Sequence, residues 1–351
     1  MTDKTIRTAI LGASGYTGAD AIRLCLRHPN IDLVALTANT HAGKPAGEVF
    51  EHLRGYDLPV LTKLDEVDWN SVDLVICALP HGTTQATTKA IRATNPNCTV
   101  VDMSADFRLR DPAIYTEWYG VEHGAPELQP EAVYGLSEHY REQIAGAKIV
   151  ACPGCFPTAA LMALLPALKA GAISGEDLII DAKTGISGAG RGLKQGMLFA
   201  EAGEGTSPYG IGHHRHMPEI EQELSVAAGS VVTIGFTPHL VPMARGELLT
   251  CHVRLGDGAS IGDVRAALES RYADEHFVLV LDEGQIPKSQ NVRGSYMVHV
   301  GVCKDRLPGR ASIIAALDNL VKGSAGQALQ NVNIAFGLPE TLALEQVAMF
   351  P

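Results

Sequence analysis

Gly12, Gly15 and Gly18 stand between a short apolar run and a helix-length stretch near the start of the chain. The run Thr8-Ala9-Ile10-Leu11 predicts a strand, and Ala19 to His28 predicts a helix. A strand that passes through a glycine turn into a helix is typical of a doubly wound α/β unit. Such a turn lets a pyrophosphate approach the unpaired N–H groups of the helix. A glycine-rich turn without a ligand is the alternative.

Short apolar runs and helix-length stretches alternate through the first half of the chain, which is the pattern of a parallel sheet covered by helices. After about Val150 longer strand patterns with turn-rich connections favour a mixed or antiparallel sheet. The last segment, Ala311 to Gln330, has helical periodicity and predicts a helix that packs back on the first domain. The predicted strands cover residues 32–36, 74–78 and 99–102 in the first half, and 178–182, 231–236, 246–253 and 296–302 in the second, with a helix over 83–93.

These patterns predict an α/β fold with two domains in a chain of 351 residues, which is long enough for a core in each. The first is a Rossmann-type doubly wound parallel sheet domain over 1–150, and the second is an α+β domain with a mixed or antiparallel sheet over 151–319. Hydrophobic residues make up 46% of the chain and charged residues 19%, which are ordinary values for a globular protein.

The net charge of the chain limits its possible binding partners, and the spacing of its cysteines indicates its cellular compartment. The net charge is −11 with no run of Lys or Arg, which argues against nucleic acid or a membrane surface as a partner. The seven cysteines lack the dense spacing of a disulfide-stapled domain. Met1 to Lys4 lead directly into an apolar run, without a signal-peptide pattern. A cytoplasmic location is therefore expected.

The glycine turn is the predicted cofactor site. In NAD-binding proteins an acidic residue near the end of the second strand commonly binds the ribose 2′-hydroxyl. The segment 36–44 has no acidic residue, and its Thr37 and Asn39 offer hydroxyl and amide donors instead. His41 or Lys44 would tolerate a 2′-phosphate, so the sequence favours NADP over NAD. The candidate contacts within the turn are Gly12, Ser14, Gly15, Tyr16, Thr17 and Gly18.

Cys155 follows a strand pattern and precedes a helical run that begins near Ala159. A thiol at such a junction faces the helix N-terminus, whose partial positive charge favours the thiolate. Cys155 is therefore a predicted nucleophile. Its C-x-x-C spacing with Cys152 leaves a redox pair or half of a zinc site as alternatives. An inert core thiol is the ordinary alternative, and it fits other cysteines better, namely Cys25, Cys77 and Cys98.

A histidine cluster, Gly212-His213-His214-Arg215-His216, precedes a predicted helix that Pro218 could open. An imidazole beside a cysteine nucleophile can take its proton and later supply one to a departing or newly formed oxygen. His214 and His216 are both candidates, and their spacing does not choose between them. A zinc site is the alternative, but no thiolate or carboxylate stands nearby at ligand spacing, so no metal is predicted.

Two further segments are suited to bind anions. Ser104 and Arg108 follow a predicted strand, and Ser187, Gly188 and Arg191 form a second, glycine-rich segment. In each, a guanidinium stands near a hydroxyl, and flexible glycines in the second segment also free backbone N–H groups. Arg108 could instead form a structural salt bridge with one of the aspartates nearby, Asp106 or Asp111.

Taken together, these residues resemble the N-acetyl-gamma-glutamyl-phosphate reductase family, which is related in fold to aspartate-semialdehyde and glyceraldehyde-3-phosphate dehydrogenases. The resemblance covers nearly the whole chain, and the cysteine turn and the segment 318–323 are its most specific parts. Its carriers are the segments 12–18, 78–82, 104–108, 153–158, 187–191, 214–216, 238–242 and 318–323.

The resemblance implies that Cys155 is the nucleophile and that His214 or His216 is the acid/base. It implies that Asn319 lies near the nicotinamide and that Pro80, His81 and Gly82 line the cofactor cleft. It also implies that the C-terminal segment 320–351 completes the first domain, that the second domain is the catalytic and oligomerisation domain, and that the chain forms a homo-oligomer, a tetramer or dimer.

The activity implied is the NADPH-dependent reduction of a small-molecule acyl phosphate to an aldehyde through a thioester, in arginine biosynthesis. A backbone N–H group at the helix start after Cys155 is suited to hold the oxyanion. The nearest rival is a related reductase of aspartyl phosphate or of a carrier-linked aminoadipyl phosphate. A rival of another class is a non-catalytic NADP-binding sensor, in which Cys155 and the imidazoles would have no reason to converge.

Overall fold

The computed structural model describes residues 5–351. Met1 to Lys4, on which the expectation about a signal peptide partly rests, lie outside the described residues. The chain divides into two compact units. The first ends at Gly154 and also contains Ser324–Glu345, whereas the second comprises Cys155–Gly323 and Gln346–Pro351. Each unit contains one seven-stranded sheet.

The sheet of the first unit is parallel throughout. Its strands are β1 (Ile6–Leu11), β2 (Ile31–Thr37), β3 (Leu61–Thr62), β4 (Leu74–Cys77), β5 (Thr99–Asp102), β6 (Ala132–Tyr134) and β7 (Ile149–Ala151). Their order is β3-β2-β1-β4-β5-β7-β6. The central strands β4 and β5 are buried along their whole length, as expected where helices cover both faces. This confirms the predicted doubly wound sheet.

The sheet of the second unit is mixed, as predicted. Its strands are β8 (Leu178–Gly185), β9 (Ser207–Pro208), β10 (Ile234–Val241), β11 (Glu247–Arg254), β12 (Val278–Val280), β13 (Val298–Lys304) and β14 (Arg310–Leu317). Their order is β12-β13-β14-β11-β8-β10-β9. The pairs β8/β10 and β12/β13 are parallel, and the remaining pairs are antiparallel.

The helices cover the sheets. The α-helices are α1 (Tyr16–Cys25), α2 (Ala46–Val49), α3 (Thr84–Thr94), α4 (Pro112–Tyr119), α5 (Ser137–Ile144), α6 (Cys155–Lys169), α7 (Phe199–Ala202), α8 (Met217–Ala228), α9 (Ile261–Tyr272) and α10 (Gly326–Ala335). Short 3-10 helices cover Glu51–Leu53, Leu64–Glu66, Trp69–Ser71, Pro126–Glu131, Ile186–Ala189, Gln195–Met197 and Ser289–Asn291, and a π-helix covers Val321–Ala325. Among residues 5–351, none of the helices has the length and apolar character that a bilayer crossing needs.

Helix α6 is the centre of the second unit. Every residue from Phe156 to Leu168 is buried, because the helix packs against β11 and β14 on one side and against α8 and α9 on others. A helix that is apolar all round belongs in a core. Cys155, the first residue of α6, is therefore attached directly to a buried helix.

Several element predictions were wrong in part, and the first helix spans Tyr16–Cys25 and not Ala19 to His28. The segment Ala311 to Gln330 is not one helix, because residues 310–317 form β14, whose backbone pairs with β11 and β13. The run Ala-Ser-Ile-Ile-Ala-Ala-Leu has apolar residues at the spacing of a helix and also at the spacing of a strand. Pairing with strands distant in sequence therefore decides its secondary structure. The strand predicted over 231–236 starts later, at Ile234, and continues to Val241. The helix after the cysteine turn starts at Cys155 and not near Ala159.

Candidate active site

Cys155 differs from the other cysteines in its surroundings. It is half-buried and is the first residue of α6, where the helix dipole favours a thiolate. Burial raises the pKa of most of the other thiols, which suits inert core residues. The pKa is raised to about 12 at Cys25, Cys98, Cys152 and Cys251, and well above the ordinary value at Cys77.

Cys152, the other half of the C-x-x-C pair, has a structural environment within the first unit. Its backbone N–H group donates to the carbonyl of Asp102 at 2.8 Å, and its own carbonyl accepts a 2.7 Å hydrogen bond from Nε of Arg108. The amide of Asn331 donates to its Sγ at 3.5 Å. A sealed thiol with a raised pKa is poorly suited to disulfide exchange, and all seven cysteines are free thiols.

The imidazoles of His214 and His216 both pack on Phe156, the residue next to Cys155. Their ring centroids lie 5.7 Å and 5.8 Å from that of Phe156, and 4.9 Å from each other. His214 also packs on Tyr209, with 5.4 Å between the ring centroids. The second unit therefore brings both predicted bases to the start of α6.

His214 is a neutral imidazole at physiological pH. Burial lowers its pKa to about 4, and the neighbouring charges of Arg215 and His213 act in the same direction. Its Nδ1 accepts a 3.2 Å hydrogen bond from the backbone N–H of His216. In the neutral ring the proton is therefore on Nε2, which can act as a donor. His216 lies at the N-cap of α8.

Two residues beside Cys155 were not predicted from the sequence, Tyr209 and Glu247. The pKa of Tyr209 is raised by burial and, to a smaller extent, by the negative charges of Cys155 and Glu247. Glu247 is the first residue of β11 and is fully buried. The only sequence signal for Glu247 was an acidic residue at the start of an apolar strand. No sequence signal indicated Tyr209.

Glu247 is a buried carboxyl. Burial raises its pKa to about 8, the thiol of Cys155 and the hydroxyl of Thr184 lower it, and the charge of Asp318 raises it further. Thr184 is its cross-strand neighbour on β8, so the two side chains share one face of the sheet. A carboxyl with such a pKa is largely protonated at neutral pH.

The predicted anion-binding segment of the second unit follows β8 directly. Ser187 and Gly188 lie in the 3-10 helix Ile186–Ala189, and Arg191 is exposed two residues beyond it. The amide of Asn319 donates to Oγ of Ser187 at 3.0 Å and accepts from the backbone N–H of Gly246 at 2.8 Å. Asn319 thus fixes the start of this segment, while Gly188 and Arg191 face solvent.

In the first unit the glycine turn connects β1 to α1 as predicted. Gly12 has φ of +73°, and a Cβ there would lie 2.4 Å from the carbonyl oxygen of Ala78. A Cβ on Gly18 would lie 2.4 Å from the carbonyl oxygen of Gly12. Gly15 is the N-cap residue of α1, and it has no side chain that could accept a hydrogen bond from the first turn of the helix. Ser14, Tyr16 and Thr17 complete the turn and the first residues of the helix.

The end of β2 lies beside this turn. Thr37 is buried and accepts a 3.4 Å hydrogen bond from the backbone N–H of Gly12 through its Oγ1, so it supports the turn from inside. Asn39 is exposed two residues later. No acidic side chain occurs between Leu36 and Lys44.

The loop Pro80-His81-Gly82 after β4 is exposed and is held by Asp106. The backbone N–H of Gly82 donates to Oδ1 of Asp106 at 2.7 Å, and that of Thr84 donates to Oδ2 at 2.8 Å. Nδ1 of His81 accepts a 2.9 Å hydrogen bond from the N–H of Ala105. Asp106 was not predicted as a site residue, although it lies inside the segment 104–108.

Ser104 and Arg108, predicted for substrate binding, are buried and bonded within the first unit. Oγ of Ser104 donates to Oδ2 of Asp102 at 2.8 Å. The guanidinium of Arg108 donates to the carbonyls of Cys152 at 2.7 Å and Met103 at 2.8 Å. It is 5% exposed and lowers the pKa of Asp102, although burial and Asp106 raise that pKa to about 7 overall. These contacts support the chain that leads into α6.

The sequence matches two family models. The semialdehyde dehydrogenase NAD-binding domain matches residues 7–147, and the semialdehyde dehydrogenase dimerisation domain matches residues 155–319. The N-acetyl-gamma-glutamyl-phosphate reductase of Afipia carboxidovorans is 52% identical over 345 residues, which are 98% of each chain. A probable chloroplastic N-acetyl-gamma-glutamyl-phosphate reductase of Arabidopsis thaliana is 52% identical over 349 residues, 99% of this chain and 86% of the relative.

A solved structure shows the same fold at low sequence identity. Aspartate semialdehyde dehydrogenase II from Vibrio cholerae matches with a TM-score of 0.72 and 19% identity, over 94% of this chain and 98% of that one. At this identity the likeness concerns the fold alone.

Proposed function

The chain belongs to the N-acetyl-gamma-glutamyl-phosphate reductase family, and we propose that it reduces N-acetyl-gamma-glutamyl phosphate to N-acetylglutamate 5-semialdehyde and phosphate in arginine biosynthesis, with NADPH as the reductant. The observation that carries the proposal is the position of Cys155. It is a half-buried thiol on the first residue of a buried helix, with two imidazoles packed on the adjacent Phe156.

Cys155 forms the covalent intermediate. Its thiolate attacks the acyl carbon, the C–O bond to phosphate breaks, and a thioester remains on Sγ. NADPH, when bound, supplies the hydride that reduces this thioester. The thiohemiacetal then collapses, the C–S bond breaks, and the electron pair returns to sulfur. Backbone N–H groups of the first turn of α6 stabilise the oxyanion in both tetrahedral steps.

His214 holds the reacting oxygen. Because its pKa is lowered to about 4, the ring is neutral at physiological pH and carries its proton on Nε2. A neutral imidazole donates a hydrogen bond to a developing oxyanion without needing to be charged first. His216 packs on the same ring of Phe156 and is the alternative acid/base. Substitution of each by Asn, followed by the pH–rate profile, distinguishes them.

The glycine turn of the first unit binds the cofactor. Gly12 and Gly18 keep side chains away from the turn, and the uncapped start of α1 offers N–H groups to the pyrophosphate. Asn39, which is exposed after β2, is the proposed ribose contact, and the absence of an acidic residue over 36–44 favours NADP. The loop Pro80-His81-Gly82 lines the cleft on this unit. We also propose Asn319 as a nicotinamide contact, as the family resemblance implies.

The segment Ser187-Gly188 with Arg191 binds the anionic part of the substrate. Arg191 is exposed, and a guanidinium pairs with carboxylate or phosphate through two parallel hydrogen bonds. The side-chain amide of Asn319 donates a hydrogen bond to the hydroxyl of Ser187 and so orients it. Arg108 contributes indirectly, because its guanidinium holds the carbonyl of Cys152 in the first unit. Ser104 donates its hydroxyl to the carboxylate of Asp102 there.

The chain forms a homo-oligomer through its second unit, as a dimer or a tetramer. Burial alternates along β8, where Ile179 is 43% exposed while Leu178 and Ile180 are buried, so the face of the sheet away from α6 is partly open. The match of residues 155–319 to the semialdehyde dehydrogenase dimerisation domain supports an interface in this unit. Light scattering gives the oligomeric state. Seven free thiols suit a reducing compartment, and we place the chain in the cytoplasm.

One assay tests the proposed substrate. In the reverse direction with phosphate present, NADP should be reduced by N-acetylglutamate semialdehyde at least about a hundredfold faster than by aspartate semialdehyde, because a site built for an amide disfavours a charged ammonium. Equal rates, or a preference for aspartate semialdehyde, would exclude the proposed substrate while leaving the thioester chemistry in place. NAD in place of NADP tests the cofactor in the same assay.

A further inference from the structure

The connection between β8 and α8, residues 186–216, contains no buried residue, and the structure describes every residue of it. It nevertheless forms two 3-10 helices, the helix α7 and the strand β9. A helix as short as α7, with four residues, is marginal in water unless other parts of a protein pack on it. The connection therefore lacks the packing surface that its secondary structure needs.

The middle of this connection is apolar. We define the arm as residues 190–206. Within it Leu193 is fully exposed, Phe199 is 85% exposed and Leu198 is 56% exposed. Single exposed apolar side chains are ordinary on protein surfaces, but three large ones within seven residues of chain form a patch. Such a patch marks an interaction surface.

The hydrogen bonds of the arm close on the arm itself. The backbone N–H of Leu198 donates to the carbonyl of Gln195 at 2.9 Å, and that of Gly203 donates to the carbonyl of Phe199 at 2.7 Å. The side-chain amide of Gln195 donates to Oε1 of Glu201 at 3.3 Å. These bonds satisfy polar groups within the arm and leave its large apolar side chains on the outside. The arm is thus formed in advance for docking.

The charge of the arm indicates the partner. The arm contains two cations, Arg191 and Lys194, and two anions, Glu201 and Glu204, so its net charge is zero, whereas the whole chain carries −11. Two copies of an acidic chain repel each other over most of their surfaces. A neutral apolar patch is where they can meet without that repulsion, and it offers no attraction to a strongly charged partner. The arm therefore fits a second copy of this chain.

The arm is also continuous with the sheet of the second unit. It begins shortly after β8 and leads into β9, the edge strand that pairs with β10. The match to the dimerisation domain, residues 155–319, includes the whole arm. In a two-fold symmetric contact the same patch of each copy is buried, so one interface would cover both arms.

The arm connects two parts of the proposed site. Arg191, proposed to bind the anionic part of the substrate, lies at its start, and His214 follows its end. The ring of Tyr209 packs on that of His214 with 5.4 Å between the centroids. A Cβ on Gly210 would lie 3.0 Å from Cδ2 of His214. The conformation of the arm therefore determines how Arg191 and His214 are placed relative to each other.

We propose that the arm docks on a second copy of this chain, and that this contact holds Arg191 and His214 in their working positions. The site of a single chain is then incomplete. The proposal rests on the roles that the proposed function gives to these two residues. It goes beyond that function because it names the contact on which both depend.

Photo-crosslinking tests the contact in the full chain. The cross-linking amino acid p-benzoylphenylalanine in place of Phe199 keeps an aromatic ring, and on irradiation it should give covalent pairs of chains. Position 231 is the matched control, because Val231 is 91% exposed in the same unit but lies outside 186–216. The same amino acid there should leave single chains. Cross-links from position 199 only within one chain, or equal yields of pairs from both positions, would overturn the proposal.

A double variant, Leu193→Ser with Phe199→Ser, tests the link to activity. Light scattering should show a smaller assembly than that of the wild type. We expect kcat/KM to fall about a hundredfold, because a small misplacement of positioning groups has an effect of that size. A higher protein concentration should restore part of the activity by mass action. NADPH binding should remain unchanged, because the glycine turn lies in the first unit.

Val231→Ser should keep the wild-type assembly and the wild-type kcat/KM. A double variant with the wild-type assembly, or with the wild-type kcat/KM in a smaller assembly, would contradict the proposal. The cross-linking result decides the matter even when the double variant does not fold.

The failure of the proposed function would look different. If Cys155→Ser retained turnover, or if N-acetylglutamate semialdehyde were not a substrate, the proposed reaction would be wrong while cross-linking at position 199 still reported on the arm. If Cys155→Ser is inactive and position 199 gives no pairs of chains, the covalent route stands and only the docking of the arm is wrong.

Discussion

A Cβ at residue 323 would lie 2.8 Å from the Cβ of Cys155, so Gly323 and Cys155 are packed with no room for a side chain between them. Gly323 lies in the π-helix Val321–Ala325. A π-helical turn widens the backbone locally, and such turns occur frequently at functional sites. The position of the sulfur thus depends on a backbone feature more than 160 residues further along the chain.

Gly323→Ala should displace Cys155. We expect kcat to fall roughly tenfold and the unfolding free energy to fall by about 1–3 kcal/mol, as for overpacking in a core. Cofactor binding should remain unchanged, because the glycine turn lies in the other unit. Steady-state kinetics and urea denaturation measure the two effects. Gly196→Ala is the control, since its Cβ would meet no atom within 4 Å, and a similar loss of kcat in both variants would contradict this account.

Gly12→Ala should weaken the glycine turn. The left-handed φ of +73° and the 2.4 Å approach to the carbonyl of Ala78 both oppose a side chain, so we expect a loss of about 2–4 kcal/mol in unfolding free energy. Gly15→Ala is the stability comparison, because its Cβ would lie at an ordinary 3.5 Å from its nearest neighbour. Equal thermal midpoints for the two variants would show that the turn tolerates a Cβ at Gly12.

Much of the fold could be predicted from the sequence, because its signals are local. The buried runs of β1, β4 and β5 are short, apolar and bounded by turns, so they read as strands of a parallel sheet. The secondary structure of residues 310–317 could not be predicted in the same way, because their small apolar side chains suit both a strand and a helix. Pairing with β11 and β13, which is distant in sequence, decides it.

The residues of the candidate site were also predicted only in part. Cys155 stands at a recognisable junction, and the histidine cluster contains an unusual number of imidazoles. Glu247 carries no local motif, and its approach to Cys155 depends on the register of β11 with β8. Asp106 is likewise part of a predicted segment, but its bonds to the loop at Gly82 become visible only in three dimensions.

Asp106→Asn should loosen the loop Pro80-His81-Gly82. The amide nitrogen cannot accept the N–H bonds of Gly82 or Thr84, which are now 2.7 Å and 2.8 Å long. Losing one such buried acceptor costs about 1–3 kcal/mol. We expect a several-fold higher KM for NADPH with a smaller change in kcat. Fluorescence titration of NADPH checks this, and unaltered binding would show that the loop does not touch the cofactor.

His214 should make stability depend on pH on the acid side. Burial lowers its pKa from 6.5 to about 4, so between these values the unfolded chain binds a proton that the folded chain does not. The stability should therefore fall as the pH falls from about 6.5 to about 4. In His214→Asn the difference between urea midpoints at pH 7 and pH 5 should shrink. An unchanged difference would mean that His214 is not buried as a neutral ring.

The most direct test of the central claim is a half-reaction without cofactor. Wild-type protein mixed with N-acetyl-gamma-glutamyl phosphate should release phosphate in a burst approaching one equivalent per chain, and intact-mass and peptide analysis should find an N-acetylglutamyl thioester on Cys155. Cys155→Ser should give neither the burst nor a thioester. The account would be contradicted if the wild type showed no burst and no adduct on Cys155 while it turned over normally when NADPH was added.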